Sequence, residues 1–233
     1  MDMIQYFKER PSFTTDEVYR FYANSSPNVK RATVNWRIYQ LVQQGVLHRI
    51  GRGIYVLGHE RIFLPAPDRK QKDIATLIKK QFPLITYCCW PLSILKEFFQ
   101  HMVAVDFLMV EVEKEALDAV FYFLKGVQKN TFKEPSREIM EDIMTRASTA
   151  IIVRPMISES PLIQIGNTQL PSLEKILVDL YTEKKLFYFI QGSELRNIFK
   201  RAVEKYTVNF SKLLRYAKRR GKEKELQKIL EQP

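Results

Sequence analysis

The sequence contains few of the residues that build disulfide frameworks and metal centres. Only two of its 233 residues are cysteine and three are histidine. The cysteines, Cys88 and Cys89, are neighbours, a placement poorly suited to an ordinary structural disulfide. The cysteines and histidines match no zinc-ligand spacing, and the sequence has no phosphate-binding glycine loop. We therefore expect two reduced cysteines in the core, with no metal and no other cofactor.

Long apolar runs are also missing, and none approaches the length that crosses a membrane. The sequence starts with Met1, Asp2 and Met3, without the basic segment and apolar run of a secretory signal. Hydrophobic residues make up 45% and charged residues 27%, a composition typical of globular proteins. We expect a cytoplasmic protein of one or two domains that does not bind membranes.

Acidic residues are absent from one long interval, Val18 to His59, which contains six Lys or Arg residues. The formal net charge of +11 is concentrated towards the two ends of the chain. Residues 1–60 carry +3, residues 61–195 are neutral, and residues 196–228 carry +9. An interval without carboxylates favours a polyanionic partner, because a carboxylate there would repel phosphate.

The first sixty residues have the pattern of three helices followed by a hairpin. Helices are expected over Met3–Glu9, from a cap at Thr14 or Thr15, and over about Val29–Gln44, with Gly45 ending the third. The segments VLHRI and GIYVL flank Gly-Arg-Gly, which is typical of a tight hairpin. This order predicts a winged helix-turn-helix, whose third helix enters the DNA major groove with the hairpin beside it.

In such a domain, DNA contacts come from the outer face of the third helix and from the hairpin. The cations of the third helix would bind phosphates, and its polar and aromatic residues would reach base edges. The hairpin arginines would contact phosphate or the electronegative minor groove. Trp36 has an alternative position, packed on the second helix, while His48 is expected on the surface. The predicted DNA-binding residues are Lys30, Arg31, Thr33, Trp36, Arg37, Gln40, Arg49 and Arg52.

Two segments resemble the AbiEi-type antitoxins. Leu41 to Tyr55 follows the pattern L-V-x-x-G-x-L-x-R-I-x-R-G-x-Y of their N-terminal winged helix, and Ser172 to Asp179 follows S-x-E-x-x-L-x-D of their C-terminal domain. The resemblance implies a transcriptional regulator and antitoxin of a type IV, abortive-infection toxin-antitoxin system. Such a protein represses its own promoter. The implied partners are double-stranded promoter DNA and, weakly or indirectly, a nucleotidyltransferase toxin.

The middle of the chain predicts a sheet domain after the proline-containing linker FLPAPDRK. Helices are expected over Asp68–Gln81 and in PLSILKEFF and KEALDAVFYFLKG, and strands in PLITYCC, MVAVDFLMVEVE and TAIIVRPM. Their alternation predicts a central mixed sheet covered by helices. The expected fold class is therefore α+β: a winged helix in residues 1–60, an α/β domain in 68–170, and basic C-terminal helices in 171–233 packed on the sheet domain.

This sheet domain is expected to be non-catalytic. Glu111 and Glu113 alternate on a predicted strand, as metal-binding carboxylates do in nucleotidyltransferases. The Gly-Ser turn that would hold the triphosphate is missing, and two exposed glutamates at a strand end are the simpler interpretation. Cys88 or Cys89 would need a histidine partner for nucleophilic catalysis, and His101 is the only histidine outside the DNA-binding end. A divergent nucleotidyltransferase remains the enzymatic alternative.

The C-terminal sequence predicts amphipathic helices with cationic outer faces. One helix is capped by Ser172 and buries one apolar face, and two further apolar stripes follow within Leu195–Tyr206 and Phe210–Ala217. The cations of this patch are Lys200, Arg201, Lys205, Lys212, Arg215 and Arg219. Three interpretations are open: the patch extends the DNA contact, as the resemblance implies, it binds RNA or an acidic protein, or it is a solvated surface.

Overall fold

The computed structural model describes residues 2–8, 10, 12–51, 53–58, 62–99, 106–145, 149–166 and 168–231. The fold is α+β, with a mixed sheet and C-terminal helices. The chain forms two compact units. We call Met1–Phe63 with Lys200–Pro233 the basic unit and Leu64–Phe199 the neutral unit. No helix in the described part of the chain is long and apolar enough to cross a membrane.

The first elements of the basic unit include the three helices and the hairpin that the sequence predicts. They are α1 (Met3–Phe7), β1 (Phe13–Thr14), α2 (Thr15–Ser25), α3 (Arg31–Gln43), β2 (Leu47–Gly51) and β3 (Ile54–Leu57). Thr14 caps α2 and α3 ends before Gly45, whose φ is +74°. Strand β1 is an addition to the prediction. It pairs with β3, so the antiparallel sheet has the order β1-β3-β2.

The core of these elements forms because the helices and the sheet each bury one apolar face. Val18 of α2, Val34 and Ile38 of α3 and Leu47 of β2 are buried together, and Leu41 and Val42 pack partly buried against them. The apolar side chains of α3 therefore face the core. Burial of these apolar side chains is the main force that holds the helices against the sheet.

The neutral unit is built around a four-stranded mixed sheet. Its elements up to the last strand of that sheet are α4 (Arg69–Gln81), β4 (Tyr87–Pro91), β5 (Phe107–Val112), α5 (Leu117–Val127), β6 (Thr131–Lys133), α6 (Arg137–Thr145) and β7 (Ala150–Pro155). The strand order is β4-β5-β7-β6; β4 is antiparallel to β5, and β5, β7 and β6 are parallel. Cys88 and Cys89 lie buried and reduced in β4.

Several predicted elements of this unit are shifted or incomplete. The strand expected in PLITYCC begins only at Tyr87 and continues through Pro91, and the helix after it is a 3-10 helix over Leu92–Phe98. The strand expected in MVAVDFLMVEVE begins at Phe107; residues 101–105 lie outside the described residues. Strand β6 and helix α6 were not predicted, because short strands and helices have weak periodicity.

The chain continues with elements that pass from the neutral unit back to the basic unit. They are β8 (Leu162–Ile165), β9 (Thr168–Pro171), α7 (Leu173–Thr182), α8 (Ser193–Lys205), α9 (Phe210–Arg219) and α10 (Glu223–Glu231). Helix α7 differs from the prediction of one buried face, because all residues from Leu173 to Leu180 are buried. The β8-β9 hairpin and α10 were not predicted.

The division of the chain also differs from the prediction that residues 171–233 pack on the sheet domain. The boundary between the units falls inside α8, between Phe199 and Lys200. Helices α9 and α10 pack against β2. They cover this edge strand, because Phe210 and Leu226 are buried on that side of the basic unit. His48 of β2, expected on the surface, is only 5% exposed, and its ring lies 5.7 Å from that of Phe210.

Candidate nucleic-acid interface

The net formal charge of the protein comes entirely from one of its two units. The basic unit contains 20 Lys or Arg residues and 9 Asp or Glu residues, a net charge of +11. The neutral unit contains 17 of each, so its net charge is zero. The sequence alone shows two separate basic segments, and the fold assigns both to the same compact body. A positive charge of this size on a small body attracts polyanions over a distance set by the salt concentration.

The outer face of α3 is exposed as the sequence predicts. Lys30 and Thr33 are exposed, Gln40 is half-buried, and Trp36 is 62% exposed. The alternative in which Trp36 packs on the second helix therefore does not describe this structure. Tyr39, which lies one helical turn further along, is 58% exposed. Two large aromatic side chains on an exposed helix face form an unusual surface, since such residues are normally buried.

Two of the predicted cations are held against tyrosines of α2. The guanidinium carbon of Arg31 lies 4.9 Å from the ring centroid of Tyr19, and that of Arg37 lies 4.7 Å from Tyr22. Arg31 also forms an exposed ion pair with Asp16, at 2.9 Å. Cation-π contact limits the freedom of these side chains, which lowers the entropy that a phosphate contact would cost. Sequence reasoning missed both tyrosines, because their role depends on how α2 packs on α3.

Of the two arginines predicted to contact DNA from the hairpin, Arg49 lies within the described residues. Arg49 is exposed on β2 and lies opposite Tyr55 in the antiparallel register. Tyr55 is half-buried and packs against the core cluster. Arg52, at the predicted hairpin tip, lies outside the described residues.

A groove of about 300 Å³ runs between α3, the hairpin and α9, and we call it the α3 groove. Its floor is the apolar side of α3 at Ile38 and Val42. Its walls carry hydrogen-bonding and aromatic groups from three elements: Asn35, Tyr39 and Gln43 of α3, Arg49 and Tyr55 of the hairpin, and Ser211 of α9. Among these described lining residues there is one cation and no carboxylate.

Helix α9 presents cations on the side that faces away from the core. Phe210, Leu213, Tyr216 and Ala217 are buried, while Ser211, Arg215 and Lys218 are exposed at helical spacing. Because Ser211 lines the α3 groove, this exposed stripe starts beside α3. Of the other cations predicted for this patch, Lys200, Lys205 and Arg219 are exposed and Arg201 and Lys212 are half-buried.

The neutral unit contains a cluster of five charged side chains, three of them buried and two half-buried, which we call the ionic cluster. Lys175 of α7, 1% exposed, donates to Glu111 of β5 and to Asp179, the latter at 2.5 Å. Arg154 of β7 lies 3.8 Å from Glu111 and donates to Glu183. The surrounding acids raise the pKa of Arg154 despite its burial, so it stays charged.

This cluster corrects the interpretation of Glu111 and Glu113 as two exposed glutamates at a strand end. Glu111 is 2% exposed, because α7 covers the end of β5 and supplies Lys175 as its partner. Glu113 lies beyond β5 and accepts the Thr86 backbone N–H at 3.0 Å, and hydrogen bonds from the side chain and the backbone of Thr86 lower the pKa of its carboxyl group. The two carboxylates therefore do not form the open, alternating pair that a nucleotidyltransferase needs.

The thiols are also unfavourably placed for nucleophilic chemistry. Burial raises the pKa of both Cys88 and Cys89 well above the usual value, so the reactive thiolate is scarce. His101, the proposed histidine partner, lies outside the described residues. The described residues also contain no group of three or more His, Cys, Asp or Glu side chains that could hold a metal ion.

Most of the chain matches a family of proteins. No curated protein is significantly similar to the chain. A family described as a family of unknown function, DUF6577, matches residues 33–233. The match begins inside α3 and includes the hairpin, the neutral unit and the C-terminal helices. Because it spans more than half of the sequence, the chain belongs to the DUF6577 family.

Proposed function

We propose that the protein is a DNA-binding transcriptional regulator whose basic unit binds double-stranded DNA. The observation that carries this proposal is the confinement of the whole net charge of +11 to the unit that exposes the outer face of α3. DNA presents one negative charge for about every 1.7 Å of helix axis, so a concentrated positive body releases many counterions on binding.

In this proposal the basic unit acts as a winged helix. Helix α3 enters the major groove, and the β2-β3 hairpin lies beside it with Arg49 on the backbone or the minor groove. Lys30, Arg31 and Arg37 bind phosphates on either side of the groove. Thr33, Trp36 and Gln40 face base edges, where Gln40 can pair with adenine and Thr33 or Trp36 can contact a thymine methyl group.

Helix α9 provides a second contact with the same duplex. Its exposed stripe begins beside the α3 groove, so Arg215 and Lys218 continue the positive surface of α3 along the DNA backbone. A longer row of cations raises the affinity and makes it more sensitive to salt. This contact accounts for the concentration of positive charge in residues 200–233.

The resemblance to AbiEi-type antitoxins supports a more specific role. In it, the protein binds repeats in its own promoter in the cytoplasm, represses transcription, and counteracts a nucleotidyltransferase toxin without forming a stable complex. Co-expression with the product of a neighbouring nucleotidyltransferase gene tests this role. Rescue of growth supports it, and growth arrest that the protein does not relieve contradicts it.

The DNA-binding proposal is tested by measuring fluorescence anisotropy of a labelled promoter duplex at several salt concentrations. Arg49→Ala should weaken binding by about 1 to 3 kcal/mol, because it removes a positioned groove or phosphate contact. Lys30→Ala should lower the slope of log K against log salt concentration by about one unit, because one phosphate contact is lost.

The matched control is Lys129→Ala, which removes one exposed lysine from the neutral unit. It should leave both the affinity and the salt slope unchanged. If Arg49→Ala and Lys30→Ala also bind like the parent at every salt concentration, the basic unit does not bind DNA in the proposed way.

The competing proposal is RNA binding, which the exposed rings of Trp36 and Tyr39 favour, since aromatic side chains stack on unpaired bases. Single-stranded RNA of the same length, measured under the same conditions, distinguishes the two. Tighter binding to RNA than to duplex DNA, lost in Arg215→Ala with Lys218→Ala, would replace the DNA proposal.

A further inference from the structure

The α3 groove has features that phosphate binding by the basic unit does not explain. Phosphate contacts need cations, but of the described residues that line this groove only Arg49 is charged. The other lining groups are two tyrosines, two side-chain amides, a hydroxyl and an apolar floor. Aromatic walls with amide donors and acceptors on one edge are the chemistry that recognises a planar heterocycle, not an anion.

The size of the groove limits what it can hold. Its volume of about 300 Å³ is at the lower end of small-molecule sites, which suits one ring system. Tyr39 can stack on a ring that enters from the outer face of α3. Asn35 and Gln43 lie one helical turn on either side of Tyr39, where their amides can hydrogen-bond to the edge of that ring.

Trp36 is a second aromatic side chain beside the α3 groove that can take part in binding a base. Trp36 and Tyr39 are three residues apart on α3, so their side chains are neighbours on the helix surface. Trp36 is 62% exposed. A large apolar side chain inserted between base pairs can unstack them and fill the gap that a displaced base leaves.

We infer that the α3 groove receives a single nucleobase that leaves the stack of the bound DNA, while Trp36 occupies the gap. This inference rests on the proposed function and specifies how the protein recognises one base. The base stacks on Tyr39, its edge bonds to the amides of Asn35 and Gln43, and its phosphate meets Arg49. Recognition then depends on how easily a base pair opens as well as on its major-groove edge.

The test uses the full chain and three labelled duplexes that share the same base-paired sequence. One is fully paired, one carries a single unpaired adenine, and one carries an abasic bulge at the same place. Opening a base pair costs a few kcal/mol, and this cost is absent for an unpaired base, so the adenine bulge should bind about tenfold tighter or more than the paired duplex. The abasic bulge is equally flexible but offers no base, so it should show little of this preference.

The ratio of affinities for the adenine bulge and the paired duplex is the readout for variants. Loss of folded protein lowers both affinities together and leaves the ratio unchanged. Tyr39→Ala, and Asn35→Ala with Gln43→Ala, should reduce the ratio to about one, since base stacking and edge contacts each contribute to it. The matched control is Tyr122→Ala, which removes a tyrosine that is 67% exposed on α5 of the neutral unit and should keep the ratio of the parent.

Three results would overturn the inference. Equal binding of the adenine and abasic bulges would show that DNA flexibility, not a base, is recognised. Equal binding of all three duplexes would remove the base site but leave the DNA-binding proposal intact, whereas no binding to any duplex would overturn both.

Discussion

At the scale of single residues, Lys175 is a charged side chain that is almost completely buried. It is buried between Glu111 and Asp179, and its hydrogen bonds to these two carboxylates compensate for the loss of water. A buried charge without its partner is much more costly than a complete buried pair. The opposite charges of the ionic cluster therefore hold α7 against β5. Removing one member destabilises the charged groups that it pairs with.

Replacing Lys175 should accordingly destabilise the protein strongly. Lys175→Ala removes the cation that the buried Glu111 and Asp179 share, which should cost about 3 to 5 kcal/mol in the free energy of unfolding by urea. The control is Lys133→Ala, which breaks the exposed pair with Asp118 at 2.6 Å and should change the free energy of unfolding far less, because solvent screens exposed ion pairs. A triple variant, Lys175→Met with Glu111→Gln and Asp179→Asn, should recover part of the loss. Equal stability of Lys175→Ala and Lys133→Ala would contradict this account.

Gly58 is constrained by the backbone around it. A Cβ at this position would lie 2.3 Å from the carbonyl oxygen of Gly45 and 2.4 Å from Nε2 of His48. Its N–H also donates to the carbonyl of Val46 at 2.9 Å, which closes the end of the β2-β3 hairpin. The position therefore accepts only glycine without a movement of the backbone.

Gly58→Ala should destabilise the basic unit by about 1 to 3 kcal/mol, the usual cost of overpacking. The matched control is Gly126→Ala in α5, where nothing lies within 4 Å of the added methyl group. This control should be neutral or more stable by up to about 1 kcal/mol, because alanine favours a helix. Thermal unfolding of both variants measures the difference, and a Gly58→Ala protein as stable as the parent would show that the hairpin closure is not tight.

At the scale of elements, the start of α2 is fixed by a reciprocal cap. The Thr14 hydroxyl oxygen accepts the backbone N–H of Glu17 at 3.2 Å, and the Glu17 carboxylate accepts the backbone N–H of Thr14 at 2.7 Å. These two bonds satisfy donors that a helix start leaves without a helical partner. The backbone and side-chain hydrogen bonds from Thr14 lower the pKa of Glu17 below its ordinary value of 4.5.

A lowered pKa gives a definite direction to the dependence of stability on pH. The stabilisation by Glu17 is present above its unfolded pKa and is lost as the pH falls through its folded pKa. Glu17→Gln keeps the hydrogen-bonding shape but not the charge, so the parent should be more stable at neutral pH and the two should converge as the pH falls below the folded pKa of Glu17. Urea unfolding across this range measures it. A constant difference at all pH values would mean that the charge does not contribute.

At the scale of the whole molecule, the division into two units makes a prediction about local stability. Phe210 of α9 is buried with the elements of the basic unit, although it is far from them in sequence. Phe210→Ala should cost about 3 to 5 kcal/mol through the cavity that it leaves. The same cavity should also make amide hydrogen exchange faster, and this increase should appear in β2 and β3.

The reciprocal control is Leu177→Ala in α7, a fully buried residue of the neutral unit. Its effect on exchange should appear in β5 and β7, because this residue belongs to the neutral unit. If Phe210→Ala instead increased exchange mainly in β5 and β7, residues 200–233 would belong with the sheet domain, as the sequence alone suggested.

The elements that sequence reasoning predicted well are those specified by neighbouring residues. The capped start of α2, the end of α3 before Gly45, and the β2-β3 hairpin all depend on residues within one or two turns of each other. The same holds for α4, whose cap Asp68 precedes it directly. The exposure of the α3 face, from Lys30 to Gln40, also follows from local periodicity.

The parts that could not be predicted depend on contacts between distant residues. Strand β1 is recognisable only because Phe13 pairs with Tyr55. Glu111 is buried because Lys175, 64 residues away, arrives on α7. The α3 groove combines α3 and the hairpin with Ser211 of α9, so its lining has no signature in any one segment.

The sequence by itself determined the total charge, the interval without acids, and the local helices and turns, because these depend on composition and on neighbouring side chains. Only the tertiary structure decided that the two basic ends form one body of net charge +11 and that a groove of about 300 Å³ lies between them. The physical reason is that burial of Phe210 and Leu226 brings α9 and α10 onto β2. This packing gains apolar contact that no local pattern specifies.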